Sequence, residues 1–214
     1  FYQDIKHILK DARNKAYHTI NFIMVEAYWN VGKRIIEEEQ KGRKRAGYGE
    51  ALIENLSQAL IAEFGAGFSE QSLWNMRRFY GMFPILSALR RELSWTHYKL
   101  LIRLESDRAR DFYAQETVQN NWSVRALECQ IFSHYYERLL SSKNKSLVAG
   151  EASLNTKKLK SQPQDFIKDP YVLEFLDIKP STDYQEKDIE TALINKLSSF
   201  LLELGKGFSF VARQ

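Results

Sequence analysis

A long apolar stripe at helical spacing is the feature that most limits how this chain can fold. Over the first 35 residues, apolar side chains keep helical spacing in two runs, first at Ile5, Ile8, Leu9 and Ala12 and then at Ile20, Met24, Ala27, Tyr28, Val31 and Ile35. The spacing predicts one helix, or two nearly collinear helices, over residues 3 to 39, with Gly32 as its weakest point. Because such a stripe must be covered, we expect other helices or a second copy of the chain to pack on it.

The residues that follow also favour helices. Leu52 to Phe64 carry an apolar period that ends at Gly65, and the basic, glycine-containing run at residues 40 to 49 predicts a mobile loop before them. A serine stands at the start of each later helical pattern, where its hydroxyl can accept a hydrogen bond from a free backbone N–H. These serines are Ser69, Ser94, Ser106 and Ser123, and they predict helices from about 70 to 83, 95 to 104, 107 to 120 and 124 to 140.

Composition and charge divide the chain. With 214 residues, 44% hydrophobic and 27% charged, it has the composition of a soluble globular protein, and no stretch has the form of a membrane span or a signal peptide. The single cysteine, Cys129, excludes an internal disulfide and fits a cytoplasmic protein. Arginine outnumbers lysine 13 to 7 in residues 1 to 140, whereas residues 141 to 214 hold 10 lysines and one arginine. The lysine-rich, polar segment 141–164 is typical of a linker.

The last 50 residues differ from the rest. Residues 165 to 214 carry 6 basic and 9 acidic side chains, and they predict a helix from about 186 to 204 followed by a strand in FSFVARQ. A single strand needs partners for its backbone groups, so we expect a sheet that extends beyond this segment or comes from another molecule.

Residues around Gly65 to Phe68 have the lengths and the glycine of a helix-turn-helix unit. In such a unit the second helix enters the major groove, where Gln and Asn can pair with adenine and Arg with guanine. Gln71, Asn75 and Arg78 fall on one face of that helix, with Ser72 and Arg77 beside it. Basic residues in the preceding loop, Arg43, Lys44 and Arg45, could neutralise phosphates. A solvated helix face and an exposed basic loop explain the same residues, so both interpretations stay open.

Aromatic and titratable residues add few candidates. Trp74, Trp95 and Trp122 could stack on bases, although tryptophans at these spacings are more often core. No two of the four histidines have metal-ligand spacing on one face, and Glu37 to Glu39 are most simply a solvated helix end. Glu190 lies on the helix before the final strand, where periodicity alone indicates a surface carboxylate.

The assembled segments closely resemble one bacterial family, the YhcG-like proteins, in which a helical N-terminal domain precedes a PD-(D/E)XK nuclease domain. The matching stretches are AYWNVGKRIIEEEQ, YGEALIENLSQALIAEFGAGFSEQSLWNMRRFY, LSWTHYKLLIRLE, WSVRALECQI, KDPYVLEFL and FLLELGKGFSFVARQ. The resemblance implies a nuclease that acts through a divalent metal, normally Mg²⁺, and an N-terminal domain that binds nucleic acid or mediates assembly.

The same resemblance places the metal-binding aspartate and the E-x-K motif on strands after the segment matching GKGFSFVARQ, beyond Gln214. Only Glu190 matches a position where enzymes of this superfamily place an accessory metal carboxylate. We therefore expect the 214 residues to bind nucleic acid without cutting it, and the complete protein to be the nuclease.

The expected fold is mainly α: a helical domain at 1–140 with a helix-turn-helix or winged-helix-like unit, a linker at 141–164, and the first helix and strand of a restriction-endonuclease-like α/β domain at 165–214. The expected partner is nucleic acid, DNA rather than RNA, with no membrane and with homodimerisation through the N-terminal helices as an option. Two alternatives stay open: a protein-interaction or dimerisation module, and a stand-alone helix-turn-helix regulator.

Overall fold

The structure, a computed structural model, describes residues 1–42, 48–157 and 159, and every regular element in these ranges is helical. Their helices are α1 (Tyr2–Gly42), α2 (Tyr48–Phe64), α3 (Glu70–Met82), α4 (Trp95–Leu101), α5 (Asp107–Asn120), α6 (Val124–Phe132), α7 (Tyr135–Ser141) and α8 (Lys145–Thr156). Short 3-10 turns lie at Ala66–Phe68 and Leu86–Ala88. The mainly helical prediction is confirmed for these residues. The described ranges hold no strand that could form a wing, and the predicted C-terminal helix and strand lie outside them.

Helix α1 is the longest of the described helices, and the side chains described near its start are exposed to solvent. Its 41 residues span about 60 Å at 1.5 Å per residue. Ile20, Met24, Tyr28 and Ile35 are buried, whereas Ile5 and Ile8 are 40% and 65% exposed. Among the stripe residues whose side chains are described, those from Ile20 onward are covered, and Ile5 and Ile8 are exposed.

Gly32 marks the point where α1 and α3 cross. A Cβ atom built on Gly32 would lie 2.1 Å from the carbonyl oxygen of Met76 and 3.1 Å from the Cβ of Tyr80. Any side chain at this position would collide with the backbone of α3. The residue that sequence marks as the weakest helix former is thus the one that lets the two backbones approach.

The predicted serine caps are confirmed. Each hydroxyl accepts a hydrogen bond from the backbone N–H three residues later: Ser69 from Ser72, Ser94 from His97, Ser106 from Ala109 and Ser123 from Ala126. Such a cap contributes about 1 kcal/mol, and it depends only on residues that are close in sequence. Local chemistry therefore sets where these four helices begin.

The predicted helix at 124–140 is wrong in one respect, because it is two helices. Helix α6 ends at Phe132, and His134 takes a left-handed conformation with φ of 51° before α7 begins. His134 gives α7 no side-chain cap. The hydroxyl of Tyr113 instead accepts a hydrogen bond from the free N–H of Tyr136, at 3.1 Å. A tertiary contact stabilises this break, which contains neither glycine nor proline.

Part of the predicted linker is also helical, which corrects its assignment. Helix α8 occupies residues 145–156, within the segment 141–164, and packs against α6 and α7. Asn144 caps its start, and Ala152 and Thr156 are buried. Because the buried side chains of α8 are as small as alanine and threonine, they give no strong pattern of apolar residues, and the polar composition of the segment predicted a linker.

Buried polar groups connect the later helices. The hydroxyl of Tyr113 on α5 donates to the carbonyl of Gln130 on α6, at 3.2 Å. The side-chain amide of Gln130 in turn donates to the carbonyl of Ala152 on α8, at 3.1 Å. Both residues are almost fully buried.

Among the described helices, none combines the length and apolar composition that a bilayer crossing requires.

Candidate nucleic-acid interface

One face of helix α3 is buried in the core, and the opposite face, which carries Gln71, Trp74 and Arg78, is exposed to solvent and is called the open face. Leu73, Met76 and Phe79 are fully buried and recur every three residues, against α1 and α4. Helix α2 and the 3-10 turn lead into α3 through Gly65, whose φ of 93° favours glycine. The hydroxyl of Ser57 on α2 donates to the carbonyl of Phe68 at 3.0 Å and fixes this turn. Two helices joined by a short turn are thus present, and α3 rests mainly on α1.

Three of the predicted base-reading residues lie together on the open face of α3. Gln71 and Arg78 are exposed and Asn75 is half-buried. None of the three side chains makes a hydrogen bond or ion pair with another described residue. The structure therefore leaves an amide, a second amide and a guanidinium available along about 10 Å of one helix face.

The other two predicted residues are engaged with protein groups. The hydroxyl of Ser72 lies 3.1 Å from the hydroxyl of Ser69, within the cap of α3. Arg77 donates through Nε to both carboxylate oxygens of Glu39, each at 2.8 Å. Ser72 and Arg77 therefore support the helix and its contact with α1, and they lie beside the open face with their polar groups already paired.

Glu39 is the residue that sequence reasoning missed. It was predicted to belong to a solvated helix end, yet only 16% of its side chain is exposed, and it anchors Arg77 across the α1–α3 contact. Its neighbours pair locally, Glu37 with Arg34 and Glu38 with Lys41. A separation of 38 residues gives no sequence pattern from which the Glu39–Arg77 pair could have been found.

The three candidate tryptophans differ in how much of each side chain is exposed to solvent. Trp95 and Trp122 are 1% and 4% exposed, which fits the core interpretation, whereas Trp74 is 36% exposed on the open face of α3. The guanidinium carbon of Arg77 lies 5.3 Å from the centre of the Trp74 ring. Trp74 therefore joins Gln71, Asn75 and Arg78 as the aromatic member of that face.

His97 has a structural role. Its Nδ1 accepts hydrogen bonds from the backbone N–H and the hydroxyl of Ser94, so the proton lies on Nε2, which donates to the carbonyl of Trp122 at 3.2 Å. Burial lowers the pKa of His97 to about 4, against a weaker opposing effect of the Trp122 carbonyl. The neutral imidazole thus links α4 to the start of α6.

The remaining predicted residues lie outside the described ranges. These are the phosphate-contact candidates Arg43, Lys44 and Arg45 and the accessory carboxylate Glu190. Within the described ranges, no group of three or more His, Cys, Asp or Glu side chains could hold a metal ion.

Comparison with known proteins gives the family. Residues 4–138 match the model of the DUF1016 N-terminal domain, which covers more than half of the chain. The chain belongs to the DUF1016 family of YhcG-like proteins. Residues 164–214 match the YhcG PDDEXK nuclease domain. No solved structure matches the chain significantly.

A curated relative supports the same family. The protein named "Putative nuclease YhcG" from Escherichia coli (strain K12) is 38% identical over 243 aligned residues, which cover 98% of this chain. The chain spans 64% of the length of that relative. The resemblance drawn from the sequence is therefore confirmed.

Proposed function

We propose that this chain is the N-terminal part of a metal-dependent nuclease whose helical region binds nucleic acid, DNA in preference to RNA, in the cytoplasm. The family and the name of the relative supply the nuclease class. The observation that carries the binding role is the open face of α3, where Gln71, Asn75 and Arg78 have no described partner while the opposite face is anchored in the core.

The chemistry of this face suits nucleic acid. An amide can make two hydrogen bonds to adenine and a guanidinium two to guanine. Arg78 is the cation that would contact guanine or a phosphate, and the basic run Arg43, Lys44 and Arg45 follows the end of α1, the helix that carries Glu39. In this proposal the basic run neutralises phosphates and adds affinity that falls as salt rises. Ser72 and Arg77 act by positioning the helix.

Cleavage belongs to the complete protein. Mg²⁺ held by carboxylates would activate water and stabilise the charge that grows on phosphorus, and a lysine would polarise the nucleophile or the phosphate. We assign Glu190 as an accessory carboxylate of that centre by resemblance. The described residues contain no cluster that fits the metal, so no step of the reaction is assigned to them.

The binding proposal is tested with Arg78→Ala, compared with the matched variant Arg125→Ala on the exposed side of α6. Duplexes that wild type prefers are first selected from a random pool at fixed salt. Arg78→Ala should weaken binding to the selected sequence by about 1 to 3 kcal/mol and relax its preference, whereas Arg125→Ala should change both little. Equal losses on every duplex after Arg78→Ala would remove the base-reading role and leave a phosphate contact.

A second candidate function has its own observation. Phe1, Ile5 and Ile8 are 95%, 40% and 65% exposed along one side of the first turns of α1. An exposed apolar stripe on a helix end is typical of an assembly surface, so α1 could pair with a second copy or another protein. Light scattering of the chain and of Ile5→Glu tests this. A dimer that Ile5→Glu converts to a monomer, with no salt-dependent binding to DNA, would favour the assembly module.

A further inference from the structure

Trp74 is much more exposed to solvent than the other three tryptophans. Trp29, Trp95 and Trp122 are 6%, 1% and 4% exposed, and the indole N–H of Trp29 donates to the carbonyl of Phe83. Trp74 keeps about a third of its surface in solvent at the middle of α3, between Gln71 one turn before it and Arg78 one turn after it. Its exposure is therefore specific to the face already proposed to bind nucleic acid.

The exposed ring is held in place. The guanidinium of Arg77 lies over the indole of Trp74, 5.3 Å from its centre, and Glu39 fixes that guanidinium through two contacts of 2.8 Å. The aromatic ring is thus linked through Arg77 to a carboxylate on α1. A ring that is ordered before binding loses less conformational entropy when a ligand stacks on it.

The charges near the ring are of both signs. The carboxylates Glu37, Glu38 and Glu39 at the end of α1 are each paired with a basic residue. On α3, Glu70 lies one turn before Trp74 and Arg78 one turn after it, and neither has an ion pair with a described residue. A polyanion is therefore favoured on the Arg78 side of the ring.

The indole of Trp74 suits an unpaired base better than a paired one, whereas the amides and the guanidinium around it can bond bases in a duplex or in a single strand. In a duplex, the faces of the bases are covered by their neighbours, so the ring would meet only edges and phosphates. An unpaired base offers its face for stacking and its Watson–Crick edge for hydrogen bonds. We propose that Trp74 is a stacking platform for an unpaired base, with Gln71, Asn75 and Arg78 at its rim, and that the chain recognises DNA carrying single-stranded bases. This inference rests on the proposed nucleic-acid function.

The test compares one sequence as a single strand, as a blunt duplex and as a duplex with a short gap. Binding is measured by fluorescence anisotropy of labelled oligonucleotides at two salt concentrations, with the 214-residue chain. Trp74→Ala should weaken binding to the single strand and the gapped duplex about 5- to 150-fold, the range for loss of one stacked base, and should change blunt-duplex binding less than about twofold. Trp74→Phe should recover most of the affinity because it keeps an aromatic face.

A spectroscopic control separates stacking from altered folding. Wild-type tryptophan fluorescence should be quenched by an unlabelled single strand, and Trp74→Phe should lose that quenching while its thermal unfolding stays unchanged. Equal losses on single strand and blunt duplex, or no loss on the single strand, would overturn the stacking role and leave the nucleic-acid proposal intact. Wild type that binds none of the three DNAs would overturn both.

Discussion

Helices α1 and α3 cross where their backbones approach closely, whereas α4 to α8 add buried side-chain hydrogen bonds to the hydrophobic core that both regions share. At Gly32 the two helices approach so closely that no side chain fits, and the neighbouring core is apolar and aromatic. In the later region, His97, Tyr113 and Gln130 are buried and each makes a hydrogen bond to a distant backbone group. The first arrangement buries one face of α3 and leaves the opposite face exposed to solvent. In the second, the buried polar groups are paired within the protein.

The largest effect is expected at the helix crossing. Gly32→Ala places a Cβ 2.1 Å from the Met76 carbonyl oxygen, so α1 and α3 must separate. We expect a loss of roughly 3 kcal/mol or more in the free energy of unfolding, measured by urea denaturation. The matched control is Gly150→Ala on α8, where the added methyl meets nothing within 4 Å and should stabilise the helix by about 0.5 to 1 kcal/mol. Equal effects of the two substitutions would contradict the close approach.

The second prediction concerns pH and the later region. Because the folded pKa of His97 is about 4 and its ordinary value is 6.5, only the unfolded chain binds this proton between those values. Stability should therefore fall as pH drops from 6.5 to 4, by about 1.4 kcal/mol per unit and about 3 kcal/mol in total, and this contribution should change no further below pH 4.

Urea unfolding of wild type and of His97→Gln at several pH values between 4 and 6.5 isolates the contribution of His97 to the free energy of unfolding. The variant should lose the histidine part of the slope, whereas His134→Gln, on an exposed side chain, should keep it. Identical slopes for wild type and His97→Gln would show that the imidazole is not held neutral in the folded state.

A smaller loss is expected for Tyr113→Phe. The variant removes a donor to the Gln130 carbonyl and leaves the N–H of Tyr136 without its acceptor. A loss of about 1 to 3 kcal/mol is expected, because the buried carbonyl of Gln130 loses one donor and the partly buried N–H of Tyr136 loses its acceptor. Tyr80→Phe on α3 is the control, since its hydroxyl bonds to no described residue and its ring contact with Trp29 remains. Should both variants unfold at the same urea concentration, the polar network would not distinguish the two regions.

The smallest effect is expected at the surface of the later region. Arg138 on α7 pairs with Glu151 on α8, and both side chains are substantially exposed. A double-mutant cycle with Arg138→Ala and Glu151→Ala should give a coupling of about 0.2 to 1 kcal/mol that decreases with salt. A coupling as large as the Tyr113 effect would mean that surface charge contributes as much to the stability of the later region as its buried hydrogen bonds do.

Local signals predicted much of the helical fold. The cap of α5 and its limits at 107–120 agree with the prediction, because the serine and the helix it starts are adjacent in sequence. The open face of α3 was also predicted in part, since Gln71, Asn75 and Arg78 share a face in any helix built from these residues. The ion pair of Arg77 could not be predicted, because its partner Glu39 lies 38 residues away, whereas the partner of Ser72 is the nearby cap residue Ser69.

The sequence by itself determined where most helices start, which residues share a face, and the family to which the chain belongs. These properties follow from hydrogen bonds and spacing within a few residues. Tertiary structure decided that Gly32 is a crossing point, that Trp74 is exposed while Trp95 and Trp122 are buried, and that residues 145–156 form a helix. The physical reason is that each outcome depends on atoms far away in sequence: the Met76 carbonyl, the Glu39 carboxylate and the buried Gln130 amide.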